Sequence, residues 1–335
     1  MAILSTSKQG LQEGLNNLER YCDDWGLTVN TEKTKCMAFK KGGKIAVNDK
    51  WFFKGIQLET VPDFRYLGFT IGSSGSLSKG VSDLATRGNR ALFGLKRIIS
   101  QNPALTVELQ LNLFNSLVEP VMSYACESWG LREADKLEKI HLAFLKSILG
   151  VRKSTPSAFI YRELGVYPLI LKRKIRVIKY WLKILSLSDQ NPVKQMYNVL
   201  LSELSTNDRT VNWASLVRDL LCEAGFGYIW FSQNSSNKSK FINELTFRLK
   251  CSFEQKLNTV IDTDLSKNRL FRHLNQEHSF KEYLNFLDKH KIIALTKIRL
   301  CSHNFLIERG RWQRPKLDIV RRTCNICDSS RMSIM

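Results

Sequence analysis

Leu11, Leu15, Leu18, Cys22 and Trp25 recur near the start of the chain at the spacing of a helix with one apolar face. Lys8, Gln12, Glu13, Asn17 and Arg20 fall on the opposite side, where a surface helix meets water. Thr6, with Gln9 three residues on, offers a capping box for the first turn. Gly26 supplies the left-handed residue that stops a helix. The pattern then changes period. Cys36-Met37-Ala38-Phe39 reads as a strand, Lys40-Lys41-Gly42-Gly43-Lys44 as a turn, and Ile56, Leu58, Phe64, Tyr66 and Phe69 as further strand positions. A helix followed by antiparallel β structure is expected.

Beyond Gly72-Ser73-Ser74-Gly75 the helical period returns. Leu77, Val81, Leu84, Gly88, Ala91, Leu95 and Ile98 mark a long helix whose polar face carries Lys79, Arg87, Arg90, Lys96 and Arg97. A second helix is predicted from Thr106 to Tyr124, with Leu109, Leu113, Leu117 and Val121 inward and Pro120 bending or breaking its end. A third follows Leu131, with Leu137, Ile140, Phe144, Leu145 and Ile148 inward and Gly150 past its end. Leu171, Ile175, Ile178, Trp181, Leu182 and Leu185 form another stripe, and Trp181 is expected in the core. Lys172, Arg173, Lys174, Arg176, Lys179 and Lys183 cover the rest of that helix, which suits nucleic acid, a membrane surface or an acidic protein partner. Segments 186–209 and 232–240 are polar and turn-rich and read as linkers or insertions, whereas 211–224, 239–261 and 279–300 have helical periodicity. No internal repeat is present.

Composition adds a partner class. The chain has 335 residues, 43% hydrophobic and 24% charged, an ordinary globular balance that argues against disorder. Its 51 Lys and Arg against 31 Asp and Glu give a net charge of +20 and a pI near 9.7. Such an excess favours a polyanion, most simply RNA or DNA, through counterion release from phosphates. A merely basic surface is the plainer alternative. No apolar run reaches the length of a membrane span, and no leader pattern opens the chain. Eight scattered cysteines do not form a secreted disulfide framework. An intracellular location, nuclear or cytoplasmic, with reduced thiols is expected.

Trp25, Asn30, Lys33 and Thr34, followed by Tyr66-Leu67-Gly68, resemble the last part of a reverse transcriptase palm of the non-LTR retrotransposon type. The resemblance implies an α+β fold: a palm remnant with a primer-grip hairpin over 1–75, a helical thumb over 76–150, a helical extension over 151–300 and a basic tail over 301–335. It makes Lys33 the residue near an incoming nucleotide's phosphates and a possible general acid in the parent enzyme. Tyr66, Leu67 and Gly68 become primer contacts, and Arg87, Arg90 and Arg97 become thumb contacts to the template and primer. Lys33 and Lys35 are otherwise ordinary solvated charges, and so is each thumb arginine. The resemblance also places the metal-holding Tyr-x-Asp-Asp turn just before Met1. Magnesium is thus implied for the parent polymerase, while no cofactor and no polymerisation are expected of this chain. Asp23 and Asp24, at a helix end, read as solvated acids and not as metal ligands.

Toward the end of the chain Arg309, Arg311, Arg314, Arg321 and Arg322 surround Trp312, a composition suited to phosphate contact with stacking and equally to a solvated tail. Cys324 and Cys327 have the spacing of half a zinc site. Relatives of this type continue with a histidine and another cysteine, which the last eight residues lack, so an incomplete knuckle is expected. Cys301 and His303 offer a rival first pair. The expectation is a fragment that binds template and primer. Its alternatives are an interaction protein docking an acidic partner through 172–183 and a non-functional translated relic.

Overall fold

The structure is a computed structural model that describes residues 1–40, 49–132, 134–206, 210–235, 237–263, 269–305, 309–310, 313–318 and 321. The chain divides into two compact units, Met1–Thr86 and Arg87–Met335.

The first unit opens with α1 (Lys8–Asp24). Its N-cap is Ser7, whose hydroxyl accepts the Gly10 N–H at 3.0 Å, so the cap lies one residue after the expected Thr6. At the other end Gly26 takes φ +62°, and the N–H of Leu27 returns to the Cys22 carbonyl at 2.8 Å, the closure of a Schellman motif. Leu15 and Cys22 are buried as expected, but Trp25 sits on the cap and is 70% exposed. It leaves the apolar stripe because the helix has ended beneath it.

Five strands follow: β1 (Lys35–Cys36), β2 (Trp51–Phe53), β3 (Ile56–Thr60), β4 (Asp63–Tyr66) and β5 (Phe69–Gly72). β4 and β5 form a hairpin, and the remaining three make a sheet in the order β1-β3-β2. The strand expected through Phe39 stops at Cys36, and part of the expected turn at 40–44 lies outside the described residues. Pairing is not wholly antiparallel, since β1 runs parallel to β3, with Lys35 opposite Glu59. The chain passes to the far edge as β2 and folds back through Lys54-Gly55 to lie between, and that return supplies the crossover a parallel pair requires. Leu15, Cys36, Trp51, Phe53 and Leu58 close the core. Gln12 of α1 fixes the packing: its amide donates to the Phe52 carbonyl at 2.8 Å and accepts the Phe52 N–H at 2.9 Å.

α2 (Ser78–Gln101) begins in the first unit and continues into the second. Then come α3 (Val107–Leu117), α4 (Glu119–Met122), α5 (Cys126–Trp129), α6 (Asp135–Leu149), α7 (Ser157–Leu164) and α8 (Leu169–Leu185). The series ends with α9 (Pro192–Thr206), α10 (Trp213–Glu223), α11 (Gly227–Ser232), α12 (Lys238–Thr263), α13 (Arg269–Leu274), α14 (Tyr283–Phe286) and α15 (Lys289–Arg299).

Two expectations are corrected here. The buried face of α3 and α4 is Val107, Leu111, Phe114, Val118 and Met122, while Leu109 and Leu117 are exposed. Phe114 sets this rotation by stacking on Phe144 with ring centroids 4.6 Å apart. The interruption itself falls where proline predicts: Pro120 enters the first turn of α4, where its missing N–H costs nothing. Within 186–209, expected as a linker, α9 forms instead. Asn191 accepts the Val193 N–H at 2.9 Å to start it, and Tyr197 anchors it in the core through Trp181 Nε1, which donates to its hydroxyl at 2.8 Å.

One core of the second unit surrounds α8, where Val177, Ile178, Trp181 and Leu182 meet Val217 and Leu221 of α10 and Phe241 and Leu245 of α12. Trp181 is fully buried there, as expected. The last helices carry few buried apolar residues and are tied in by polarity. Glu163 of α7, wholly buried, accepts from Arg299 Nε, the Tyr283 hydroxyl and Asn275 Nδ2, each at 2.6 Å. Burial first and the carboxylate second push the Tyr283 phenol up. Replacing Glu163 with Ala removes the shared acceptor of the half-buried Arg299 guanidinium, the Tyr283 hydroxyl and the buried Asn275 amide. The substitution is expected to cost about 3–5 kcal/mol, read as a lower urea midpoint in chemical denaturation.

Candidate nucleic-acid surfaces

In the first unit, the Asn30 side chain accepts the Lys33 N–H at 2.9 Å, and its carbonyl accepts both the Thr34 N–H at 3.0 Å and the Thr34 hydroxyl at 2.8 Å. Asn30, Lys33 and Thr34, separated in sequence, are therefore one closed turn, with the Lys33 side chain exposed and outside any ion pair among the described residues. Lys35 differs. Its ammonium pairs with Glu59 across β1 and β3.

Tyr66, Leu67 and Gly68 lie together at the β4–β5 turn. Leu67 takes φ +46° and Gly68 φ +86°, and Tyr66 pairs with Phe69 across the loop. Two residues at positive φ between antiparallel strands make a primed turn, which matches strand twist. Glycine adopts that backbone freely, whereas leucine is strained by about 1–2 kcal/mol. Leu67 is nonetheless 72% exposed, so no burial compensates for the strain. Strain held at an exposed apolar tip points to a functional surface.

In the second unit, Arg90, Phe93 and Arg97 occupy one face of α2 at three- and four-residue spacing, with Lys96 beside them. All four are exposed, Phe93 by 76%. None of the three cations forms an ion pair among the described residues. Arg87 is half-buried and already engaged. Phe93 is the residue sequence reasoning missed. The signal for it was an aromatic outside the Leu92 and Leu95 stripe, surrounded by basic residues.

The cations of α8 behave otherwise. Arg173 is 1% exposed, lies 3.3 Å from Glu138 and covers the Trp129 ring. Arg176 pairs with Glu119 at 3.1 Å, and Lys172 donates to Asn115 at 2.7 Å. These three hold helices together, leaving Lys179 and Lys183 as the exposed cations of this helix. An acidic partner docking along 172–183 would meet Lys174, Lys179 and Lys183, which form no ion pair among the described residues.

Magnesium, implied by the resemblance, does not fit the acids of the first unit. Asp23 pairs with Lys54, Asp49 with Lys40, Glu59 with Lys35 and Asp63 with Lys79, while Asp83 accepts from the Thr70 hydroxyl. Asp24 lies exposed at the end of α1. Among the described residues no three His, Cys, Asp or Glu side chains converge on a metal position. Arg311, Trp312, Cys324 and Cys327 lie outside the described residues. Of the rival pair, His303 is buried against Phe305, with ring centroids 4.7 Å apart. No described helix is long and apolar enough to cross a membrane.

The chain is 21% identical over 155 residues to the RNA-directed DNA polymerase from the mobile element jockey of Drosophila melanogaster, a match covering 44% of this chain and 16% of that protein. It is 26% identical over 153 residues to a transposon-derived protein of Caenorhabditis elegans, covering 44% of this chain and 51% of the other. This chain is related to the RNA-directed DNA polymerases of mobile elements. A further polymerase of this group, assigned to transposon BS of Drosophila melanogaster, is 22% identical over 134 residues, with 40% of this chain and 15% of that protein covered. The chain thus matches about one sixth of the two polymerases and about half of the nematode relative. No family model and no solved structure matches it.

For this polymerase relative the strained tip gives a direct test. Leu67→Asn installs an Asn-Gly turn that accepts positive φ and is expected to stabilise the chain by about 1 kcal/mol, seen as a raised thermal midpoint. If the leucine is kept for contact, the same variant binds a labelled RNA–DNA hybrid more weakly. A lowered midpoint would remove the strain argument.

Proposed function

We propose that this chain is a nucleic-acid-holding part of a mobile-element reverse transcriptase, with a palm end over 1–75, a thumb over 76–150, a helical extension over 151–300 and a basic tail over 301–335. It holds template and primer and does not polymerise on its own. The observation that carries the reading is the α2 face, where Arg90, Lys96 and Arg97 stand around an exposed Phe93 with no ion pair among the described residues. The polymerase relatives and the charge of +20 support it.

On this reading, Arg90, Lys96 and Arg97 place guanidinium and ammonium groups on phosphates, which positions a duplex without reading its sequence. Phe93 offers an apolar surface to the sugar edge between those cations. Lys33, on its closed turn, and the Tyr66-Leu67-Gly68 tip are the proposed contacts of the first unit. Phosphoryl transfer needs divalent ions held by carboxylates, and the paired acids described above give no support for such a site here.

Fluorescence anisotropy with a fluorescein-labelled RNA–DNA hybrid tests the binding half. Neutralising Arg90, Lys96 and Arg97 together as glutamines is expected to weaken binding at least about tenfold at moderate salt. The dependence of log K on log salt should flatten by about 0.9 for each phosphate that the variant no longer neutralises. Unchanged affinity and slope would overturn the assignment. Primer extension with deoxynucleotides and magnesium tests the other half, and incorporation by the pure chain would refute it.

A further inference from the structure

The second unit contains a cleft of about 390 Å³ lined by Arg152, Ser154, Arg309 and Gln313. No acidic side chain lines it among the described residues. Two guanidiniums, a hydroxyl and a carboxamide all present donors, and among the described residues neither arginine is in an ion pair. The walls come from distant parts of the chain, the loop after α6 and the segment after α15, and are held together by specific bonds. The Arg152 N–H donates to the Ser302 hydroxyl at 3.0 Å, Thr155 donates to the same oxygen at 3.3 Å, and the Arg152 guanidinium bonds Asn304. Ser302 and Thr155 are buried. Lys146, in the last turn of α6, braces the same loop by donating to the Lys153 carbonyl at 2.6 Å. The Arg152 wall is therefore set before any ligand arrives, while Arg309 and Ser154 face water.

We propose that this cleft is a phosphate site for a nucleic-acid strand, separate from the α2 face. The inference rests on the reading that the chain binds nucleic acid and assigns to it a contact in the helical extension. A guanidinium pair with a hydroxyl and an amide matches the tetrahedral oxygens of a phosphodiester, which accepts from several directions at once. The surroundings favour a strand over a single carboxylate. Among the described residues that follow Arg309 in the chain, Arg314, Lys316 and Arg321 stand against Asp318, a ratio suited to consecutive phosphates.

The test uses the full chain and the same labelled hybrid. Arg152 is left intact because its backbone and guanidinium hold the wall. Arg309→Gln removes one donor group from an exposed position, and Ser154→Glu places a carboxylate in the cleft. Each variant, folded by circular dichroism, is expected to weaken hybrid binding roughly tenfold. Arg309→Gln should also flatten the salt slope by about one unit. Combined with the α2 triple variant the losses should multiply, since separate contacts are additive in free energy. If both cleft variants bind like the parent while the α2 variant is weakened, the cleft assignment fails and the binding function stands.

If the parent chain itself does not bind the hybrid, the binding function fails. The cleft is then judged by titrating inorganic phosphate while following the arginine Nε–H resonances. Shifts that are absent in Arg309→Gln keep an anion site, and no shift removes it. Where the parent does bind the hybrid, displacement by a glutamate-rich peptide beyond the effect of equal ionic strength, retained in the α2 triple variant and lost in Arg309→Gln, would assign the cleft to an acidic protein and overturn the nucleic-acid assignment.

Discussion

The second unit depends on a carboxylate with no access to water. Glu163 would be a heavy penalty by itself, because an ion in a low-dielectric interior must find its solvation in the protein. Arg299, Tyr283 and Asn275 provide it from positions 112 to 136 residues further on. Asn275 also accepts from Arg299 and is itself fully buried. The apolar content of α14 and α15 is too thin to place those helices by burial alone, and few of their side chains reach the core. Directional bonds to one acceptor do what a hydrophobic stripe does for α8. Such a network tolerates no partial occupancy, since each donor left without its acceptor is itself a buried cost.

That division of labour explains what could be read from the sequence. α2, α6 and α8 have strong apolar periodicity, and their extents follow it. The strand positions Ile56, Leu58, Phe64, Tyr66 and Phe69 follow from alternation. α9 was illegible because it buries little beyond Tyr197, leaving only a weak stripe to detect. The rotation of α3 was misread because leucines at two competing registers look alike in sequence, and only the Phe114–Phe144 stack chooses between them. Parallel pairing of β1 with β3 is a long-range property that no local pattern encodes. The network around Glu163 joins residues too far apart for any window to connect.

The same limit applies to charge. A formal +20 states how much positive charge the chain carries and not where it is free. Arg173 and Arg162 are buried, the second bonding the Asn275 carbonyl at 3.2 Å. Lys35 and Lys79 are consumed by β-sheet and hairpin acids. The densest basic run in the sequence, on α8, is divided: Arg173 is buried and Lys172 and Arg176 bond neighbouring helices, while Lys179 and Lys183 meet solvent as the α2 series does. The candidate surfaces were legible as motifs in Lys33 and Tyr66-Leu67-Gly68. Phe93 and the Arg152–Arg309 cleft became visible only when burial and chain folding were known.

The bond between Gln12 and Phe52 bears on how this chain behaves among its own copies. β2 lies at the rim of its sheet, and the outward N–H and carbonyl of a rim strand are a template on which a second chain can add a strand. The Gln12 amide, one donor and one acceptor on a helix already packed alongside, occupies both groups of Phe52 as a neighbouring backbone would. A single side chain thus stands in for a missing strand and removes that adhesive position, leaving the first unit protected at this edge against runaway self-association.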